Sequence, residues 1–382
     1  MECDRTQPGC HGIIRPVAST LRGSDRPLTD RYDVALLDLD GVVYVGPDAV
    51  PGAPAALRSA RERGMRLAFV TNNAARSPAV VAAHLTDLGI EAEPAEVVTS
   101  AQAAARYLAD RLEVGAQVLV VGASGLQEAL RERDLVPVFD ATGRVDAVVQ
   151  GYSPDLDWRM LAEGAVAINR GVLWVATNGD PTVPSPRGPL PGNGSLVAAL
   201  RYATKATPVT TGKPDPTMHR ESLLRSKAER PIVVGDRLDT DIEGANAVGC
   251  PSLLVLSGVT TATDLLAADE KLRPTYLATD VSGLLTPHPE PMATDGSVRC
   301  GGWQATTPRS GQMGLSRVEN AASADDDLDA LRALCAAAWG EQADAEGTRY
   351  RAEAKKLIVE PSGNAGSRDA AGQVLDRFGL VG

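Results

Sequence analysis

Aromatic residues are scarce in this chain. Phe, Trp and Tyr together make up 4% of its 382 residues, too few for the ring platforms on which single-stranded bases stack. An excess of positive charge is also missing: 49 acids face 38 bases, for a formal net charge of −11. That balance excludes bulk electrostatic attraction to nucleic acid or to an anionic membrane surface. A small phosphorylated molecule stays open as a partner, because a local lysine or metal ion overrides the overall field. Cysteine is sparse as well. Cys3, Cys10, Cys250, Cys300 and Cys335 are scattered and odd in number, with no Cys-x-x-Cys pair and no zinc spacing. Such usage fits a reduced, cytoplasmic setting, and Cys10-His11 is incidental by the same reasoning. No run reaches the roughly 18 apolar residues of a membrane span. The first thirty residues hold no apolar stretch of signal-peptide length. Membrane insertion is therefore not expected, and residues 1–29 read as a mobile extension.

Short apolar runs are what the chain does have, within a hydrophobic content of 43%. Val34–Asp40, Leu67–Asn72, Glu96–Ser100, Ile232–Asp236 and Ser252–Leu256 read as strands. Helical patterns over Ala53–Arg63, Ser77–Leu88, Ala101–Leu112 and Thr217–Leu224 alternate with them. Strand–helix alternation predicts a parallel, doubly wound α/β sheet, in which ligands bind beyond the carboxyl ends of the strands. Three of the runs end in chemistry-bearing residues, and a further such set stands between Leu67–Asn72 and Ile232–Asp236.

The first is Asp38-Leu39-Asp40-Gly41. A carboxylate there can attack phosphorus covalently or hold Mg²⁺, although Asp and Gly also open ordinary turns. With Leu39 facing away in an extended strand, the two acids share a side. The second is Thr71-Asn72-Asn73. A hydroxyl and nearby backbone N–H groups at such a junction suit a phosphate oxygen, and an Asn there can equally cap the next helix. In the third, Thr211-Gly212-Lys213-Pro214, the proline biases Lys213 toward an extended or turn conformation. A lysine held there can grip a phosphoryl oxygen and a carboxylate together, or it can be a solvated surface residue. The fourth is Gly235-Asp236-Arg237-Leu238-Asp239-Thr240-Asp241. Asp236 can complete a Mg²⁺ site with Asp38, since Mg²⁺ is content with few carboxylates, water and substrate phosphate. Asp241 can orient Lys213 or a metal-bound water, while Asp239 reads as a solvated loop acid.

These four motifs, in this order, resemble the haloacid dehalogenase-like phosphohydrolases over roughly residues 32–286. They look like the NagD-type class, with a large cap between the second and third motifs. The stretches Pro191–Leu196 and Gly235–Asp241 are most similar to the actinobacterial glycerol 3-phosphate phosphatases. The resemblance implies a Mg²⁺-dependent phosphomonoesterase. Asp38 would be the nucleophile and Asp40 the acid and base. Asp38, Asp236 and the Asp40 carbonyl would ligate Mg²⁺. Thr71, Asn72, Asn73 and Lys213 would hold phosphate, with Asp241 in support. The implied reaction is hydrolysis of a small polyol phosphate, glycerol 3-phosphate first, through an aspartyl-phosphate. Phosphoglycolate, nucleoside monophosphates and aryl phosphates are alternative substrates. Phosphoryl transfer to another acceptor, or a phosphate-ester binding regulator, is the alternative of another class. Loss of Lys213 is expected to cost rate while leaving the fold intact.

Residues 30–114 and 207–286 are thus assigned to the core, and 115–206 to an inserted α/β cap. That cap would have strands Gln117–Val121, Ala147–Gln150 and Leu173–Ala176 and helices Leu126–Arg133, Asp157–Asn169 and Ser195–Ala203. Substrate choice is expected there. Asn178 and Asp180 can meet hydroxyls, and Gly192 and Asn193 can bring backbone close to the ligand, although strand-end turns and helix caps look the same. The Gly46-Pro47 and Pro51-Gly52 steps resemble the family's short flap. Trp158, Trp174 and Trp303 read as packing residues. Prolines mark 287–300 as a linker, and 301–382 as a small α/β accessory unit with helices near Leu328–Trp339 and Ala370–Phe378. Relatives carry an acetyltransferase-like piece there. This chain shows no Gly-rich loop for acetyl-CoA, so a packing, dimerisation or regulatory role is expected. The composition leaves room for a homo-oligomer.

Overall fold

Val34–Leu37 is buried along its whole length, as expected of a central parallel strand covered on both faces. It pairs in parallel with Pro231–Gly235 on one side and Arg66–Thr71 on the other. In the computed structural model these belong to a six-stranded parallel sheet. Its order is Tyr276–Ala278, Ser252–Val255, Pro231–Gly235, Val34–Leu37, Arg66–Thr71, Val97–Thr99. The structure describes residues 21–183, 187–294, 296–306, 312–318, 327–340, 342–343, 349–350 and 358–380. Helices Ala53–Glu62, Pro78–Asp87, Ser100–Ala109 and Pro216–Ser226 connect the strands. Register aligns Leu37 with both Val234 and Phe69, so the carboxyl ends of the three central strands come out together. Asp38 N–H still donates to Val234 O at 2.9 Å, which fixes the first residue past the strand.

The segment between Ser100 and Lys213 builds a second parallel sheet, ordered Val209–Thr210, Leu173–Ala176, Ala147–Gln150, Gln117–Val121, Val136–Val138. Two of its strands were not read from the sequence. Val136–Val138 is an edge strand of three residues with a proline at its centre, and Val209–Thr210 has only two residues. The latter pairs with Leu173–Ala176, so the inserted sheet runs to residue 210 rather than stopping at 206. Trp174 is buried in it, whereas Trp158 is 79% exposed.

Two further expectations change. The part of the 1–29 extension that is described, from Leu21 onward, is packed rather than mobile. Leu21 and Leu28 are buried, Arg22 N–H donates to Thr275 O, and Ser24 bridges to His288. Residues 1–20 lie outside the described residues. The 287–300 stretch is not a plain linker either: Met292–Thr294 and Ser297–Cys300 are antiparallel strands. Its prolines precede the hairpin, and Val298 and Cys300 turn inward while Arg299 faces out. The sheet continues through Trp303–Thr306 and Gln312–Arg317, and Ile358–Pro361 adds in parallel. Helices Asp327–Trp339 and Ala365–Arg377 cover it. Its buried side chains Trp303, Leu334 and Trp339 share one apolar cluster with Leu254, Leu265 and Leu277 of the main unit. Arg332 donates to Leu277 O at 2.7 Å and Trp339 Nε1 to Leu265 O at 3.2 Å, so two side chains also bond across this seam. Among the described residues no helix is long and apolar enough to cross a membrane.

Candidate active site

A cleft of about 1500 Å³ opens between the strand ends of the two parallel sheets. Asp38, Asp40, Thr71, Asn72, Asn73, Lys213 and Asp236 line it from the main unit, and Asn178, Asp180 and Asn193 from the inserted one. Gly192 is not among its lining residues. Asp38 and Asp40 both face the cleft while Leu39 between them is buried. Gly41 follows at φ +84°, a conformation that L side chains rarely adopt, and a Cβ there would run into the Asp236 carboxylate.

Lys213 is the buried centre of the site. Its ammonium donates to Asp38 Oδ1 at 2.5 Å, to Asp241 Oδ1 at 2.7 Å and to Val70 O at 3.3 Å. Burial by itself would strip the proton from such a lysine, but the carboxylates of Asp241 and Asp38 outweigh it and hold the ammonium charged. Burial pushes the Asp38 carboxyl well up, opposed by Lys213 and reinforced by Asp241 and Asp236. Asp40 is pushed up too, chiefly by desolvation against the cleft wall.

Asp236 accepts from Val259 N–H at 2.7 Å through Oδ2, while its buried Oδ1 has no partner. Burial and the neighbouring Asp241 raise its carboxyl to about 6. One oxygen each from Asp38, Asp236 and Asp241 lie within 4.8 Å of one another. An orphaned carboxylate oxygen among three acids is what a hard divalent cation would satisfy. Asp241 is the most committed of the three, since Oδ1 takes Lys213 and Oδ2 takes the Arg237 N–H at 3.2 Å. It stands on a π-helical turn, Leu238–Ile242, an irregularity often found at functional sites.

The second motif is tied inward. Thr71 Oγ1 accepts from Asn73 N–H, and Asn73 Oδ1 accepts from the N–H of Ala75 and Arg76. Asn73 therefore shapes its own turn, and Ser77 stands at the helix start instead. The Asn72 amide accepts from Lys213 N–H at 2.9 Å and donates to Lys213 O at 3.1 Å and to Asp180 Oδ2 at 3.2 Å. Gly212 makes this contact feasible, because a Cβ there would collide with Thr177 O.

The inserted unit uses its polar groups differently from expectation. Asn178 is buried and donates to Asn72 O at 2.8 Å, and its own Oδ1 accepts from Asp180 N–H. Asn193 is buried and donates to Asn178 O at 2.8 Å. Gly192 precedes the helix Asn193–Thr204, and its N–H donates to Pro181 O. These three residues build the loop, and of the four only Asp180 presents a carboxylate to the cleft.

Sequence reading missed several lining residues: Tyr44, Arg76, His84, Tyr152 and Arg237. Tyr44 belongs to a hairpin, Tyr44–Val45 with Asp48–Ala49, that forms the flap beside Asp40. Arg76 had one available signal, its place three residues after Asn73 in the same loop.

Comparison with known proteins agrees with this geometry. Residues 35–136 match the haloacid dehalogenase-like hydrolase family and 210–284 a HAD-hydrolase-like family. Residues 300–360 match a GCN5-related N-acetyltransferase-like domain. A D-glycerol 3-phosphate phosphatase of Mycobacterium tuberculosis is 45% identical over 83% of this chain and 89% of its own length. An acid sugar phosphatase of Staphylococcus aureus is 35% identical over 66% of this chain and 96% of its own. Among solved structures, a glycerol phosphate phosphatase from M. tuberculosis in complex with magnesium superposes with a TM-score of 0.80. It is 41% identical and covers 93% of this chain and 99% of that one. Strand-end acids, a buried bridging lysine and these relatives converge on one assignment: the chain belongs to the haloacid dehalogenase-like hydrolases.

Proposed function

We propose that this protein is a Mg²⁺-dependent phosphomonoesterase that hydrolyses glycerol 3-phosphate to glycerol and phosphate in the cytoplasm. The observation that carries the reaction class is Lys213 held between Asp38 and Asp241, with Asp236 and its unpartnered oxygen beside them. The substrate rests on likeness to the M. tuberculosis phosphatase. The location is supported by Cys250, Cys300 and Cys335, all buried and unpaired.

In this reading Asp38 attacks phosphorus in line, and the bond from phosphorus to the ester oxygen breaks. Splitting hydrolysis into two displacements lowers each barrier. Asp40 gives its proton to the departing alkoxide and then takes one from the water that cleaves the aspartyl-phosphate. Burial raises its carboxyl, which favours the proton-donating half of that task. Lys213 opposes the upward push of burial on the Asp38 carboxyl and offers charge to the phosphoryl oxygens. The Thr71–Asn73 turn holds the remaining oxygens. Asp38, Asp236 and the Asp40 carbonyl would hold Mg²⁺, which supplies charge neutralisation at the phosphoryl group. The 117–210 unit acts as a cap that excludes water, and the 292–380 unit acts as an accessory that packs on the main core.

The test is phosphate release from glycerol 3-phosphate, phosphoglycolate, UMP and 4-nitrophenyl phosphate, with Mg²⁺ and with chelator. Mg²⁺-dependent release that favours glycerol 3-phosphate is expected. Release confined to UMP or 4-nitrophenyl phosphate would defeat the glycerol assignment, and no release from any ester would defeat the phosphatase reading.

A further inference from the structure

Among the described residues, three lysine or arginine side chains line the cleft: Arg76, Lys213 and Arg237. Two of them are engaged. Lys213 is locked between Asp38 and Asp241, and Arg237 grips Asp239 through bonds of 3.0 and 2.8 Å. The guanidinium of Arg76 has no hydrogen-bond or ion-pair partner among the described residues; only its backbone N–H is held.

That backbone is fixed. Asn73 Oδ1 accepts from the N–H of Ala75 at 2.8 Å and of Arg76 at 3.3 Å. The Gly125 N–H of the inserted unit donates to Ala75 O at 3.3 Å. The loop is thus pinned to the second motif at one end and to the cap at the other. Arg76 is exposed, and an uncommitted guanidinium on a pinned loop at a cleft wall meets a ligand at the cost of ordering one side chain, without ordering a loop. It also offers several donors in a fixed fork.

Its position in the cleft is on the side of Asp40. Arg76 lines the cleft with Asp40, Tyr44 and His84, and its positive charge, like that of Lys213, is felt at the Asp40 carboxyl and the Tyr44 hydroxyl. His84 stands edge-on to Tyr44, with ring centres 5.3 Å apart, and lines the same wall. Asp40 is the group that meets the departing oxygen in the reaction proposed above. Its neighbourhood is therefore where the alcohol part of the ester must lie, while Lys213 and the Thr71–Asn73 turn attend to the phosphoryl part.

We propose that Arg76 is a specificity residue that recognises the alcohol part of the substrate, donating to a hydroxyl or carboxylate oxygen one or two carbons from the ester oxygen. This rests on the phosphatase reading. It selects phosphate esters of small oxygenated alcohols over esters whose leaving group is apolar. The apolar ring of 4-nitrophenyl phosphate offers no such oxygen next to its ester.

The experiment measures kcat and KM for the wild type, Arg76→Lys and Arg76→Ala with saturating Mg²⁺. The substrates are glycerol 3-phosphate, phosphoglycolate and 4-nitrophenyl phosphate. A hydrogen bond from a charged donor predicts a loss of about 10- to 100-fold in kcat/KM for Arg76→Ala on an oxygenated ester. The loss should fall mainly on KM, with Arg76→Lys restoring part of it. Turnover of 4-nitrophenyl phosphate should stay near the wild-type value, which also reports an intact fold. Loss on glycerol 3-phosphate alone identifies a hydroxyl as the recognised oxygen, and loss on phosphoglycolate alone a carboxylate. An equal loss on all three esters, or no loss on any, overturns the proposal. So does a wild type that turns over only 4-nitrophenyl phosphate. A wild type inert on every ester instead defeats the phosphatase reading, so the two failures are told apart.

Discussion

Both sheets that meet at the cleft are parallel and both bring strand ends to it, yet their polar groups are used differently. The six-stranded sheet contributes charge: Asp38, Asp40, Asp236 and Asp241 gather around one buried lysine. The inserted sheet contributes one carboxylate, Asp180, and amides that bond to backbone, as Asn178 does to Asn72 O and Asn193 to Asn178 O. Charges held close together at strand ends are unfavourable unless something is gained from them. Amide N–H groups bonded to backbone are ordinary scaffolding, although the buried Asn193 Oδ1 has no partner among the described residues. In the proposed reading the chemistry sits on the main unit and the inserted unit shapes the cleft. Each experiment below tries to break that division.

Asp38→Asn should have the largest effect. The amide keeps the shape but is a poor nucleophile, so kcat should fall by more than about 10³-fold while the protein stays folded. Retained turnover would mean that another group attacks phosphorus, and the division would lose its main support.

Lys213→Ala comes next. Loss of a buried charge aimed at the phosphoryl group should lower kcat by about 10²- to 10³-fold. The structure also revises the expectation that the fold is untouched. Lys213 is buried and bridges two carboxylates, and breaking a buried pair leaves charge without compensation at a cost of about 3–5 kcal/mol. Denaturant unfolding of the variant should show part of that loss. Unchanged stability would mean that the two aspartates take up protons when the lysine goes.

The third test separates the units by pH. Residues 115–210 contain no histidine, whereas His219 and His288 are buried in the main unit. Burial pushes each of them down to about 4. Between about 6.5 and 4 the unfolded chain binds a proton that the folded histidine refuses, so this contribution is full above 6.5 and is lost as pH falls toward 4. Asp236, raised to about 6, acts in the opposite sense, so the wild-type profile alone cannot isolate the histidines. His288→Gln can, because the glutamine amide is able to donate to Gly283 O as His288 Nε2 does at 2.8 Å. The stability difference between wild type and variant should shift in favour of the variant by about 3 kcal/mol as pH falls across that window. A difference that stays constant with pH would mean that His288 titrates normally.

The core strands were legible because a strand covered on both faces must be a continuous apolar run, and Val34–Leu37 and Pro231–Gly235 are such runs. Three of the motifs were legible because they stand where apolar runs stop, and the Lys213 motif by its Gly-Lys-Pro sequence. Edge elements were not. Val136–Val138 carries a proline, Val209–Thr210 has two residues, and the Pro-marked 287–300 stretch hid two strands. A short edge is set by its neighbour rather than by its own pattern. Asn178 was visible as a polar residue at a strand end, but its partner Asn72 lies 106 residues away. Nothing local distinguishes a side chain that will meet a distant carbonyl from one that will meet a ligand. Arg76 escaped for a related reason, since a charged residue in a loop is ordinary until the fold leaves it alone in a cleft.

Asn178→Ala is the smallest effect and the sharpest test of the comparison. If Asn178 only shapes the cleft, its loss frees the Asn72 carbonyl, and that carbonyl still accepts from Ser100 Oγ at 2.6 Å. Two neutral hydrogen bonds are then missing, the one to Asn72 O and the one from Asp180 N–H to Asn178 Oδ1, together worth about 2 kcal/mol, and stability should fall by about that amount. The Asn72 side chain keeps its two bonds to Lys213, so the charged cluster should hold its geometry. Activity should fall by no more than about tenfold, by equal factors on glycerol 3-phosphate and on 4-nitrophenyl phosphate. A selective loss on glycerol 3-phosphate would show the amide touching substrate, and the inserted sheet would then hold part of the recognition site as well as its walls. A much larger and substrate-independent fall in kcat would show that the amide reaches Lys213 through Asn72, and that the two units share the chemistry.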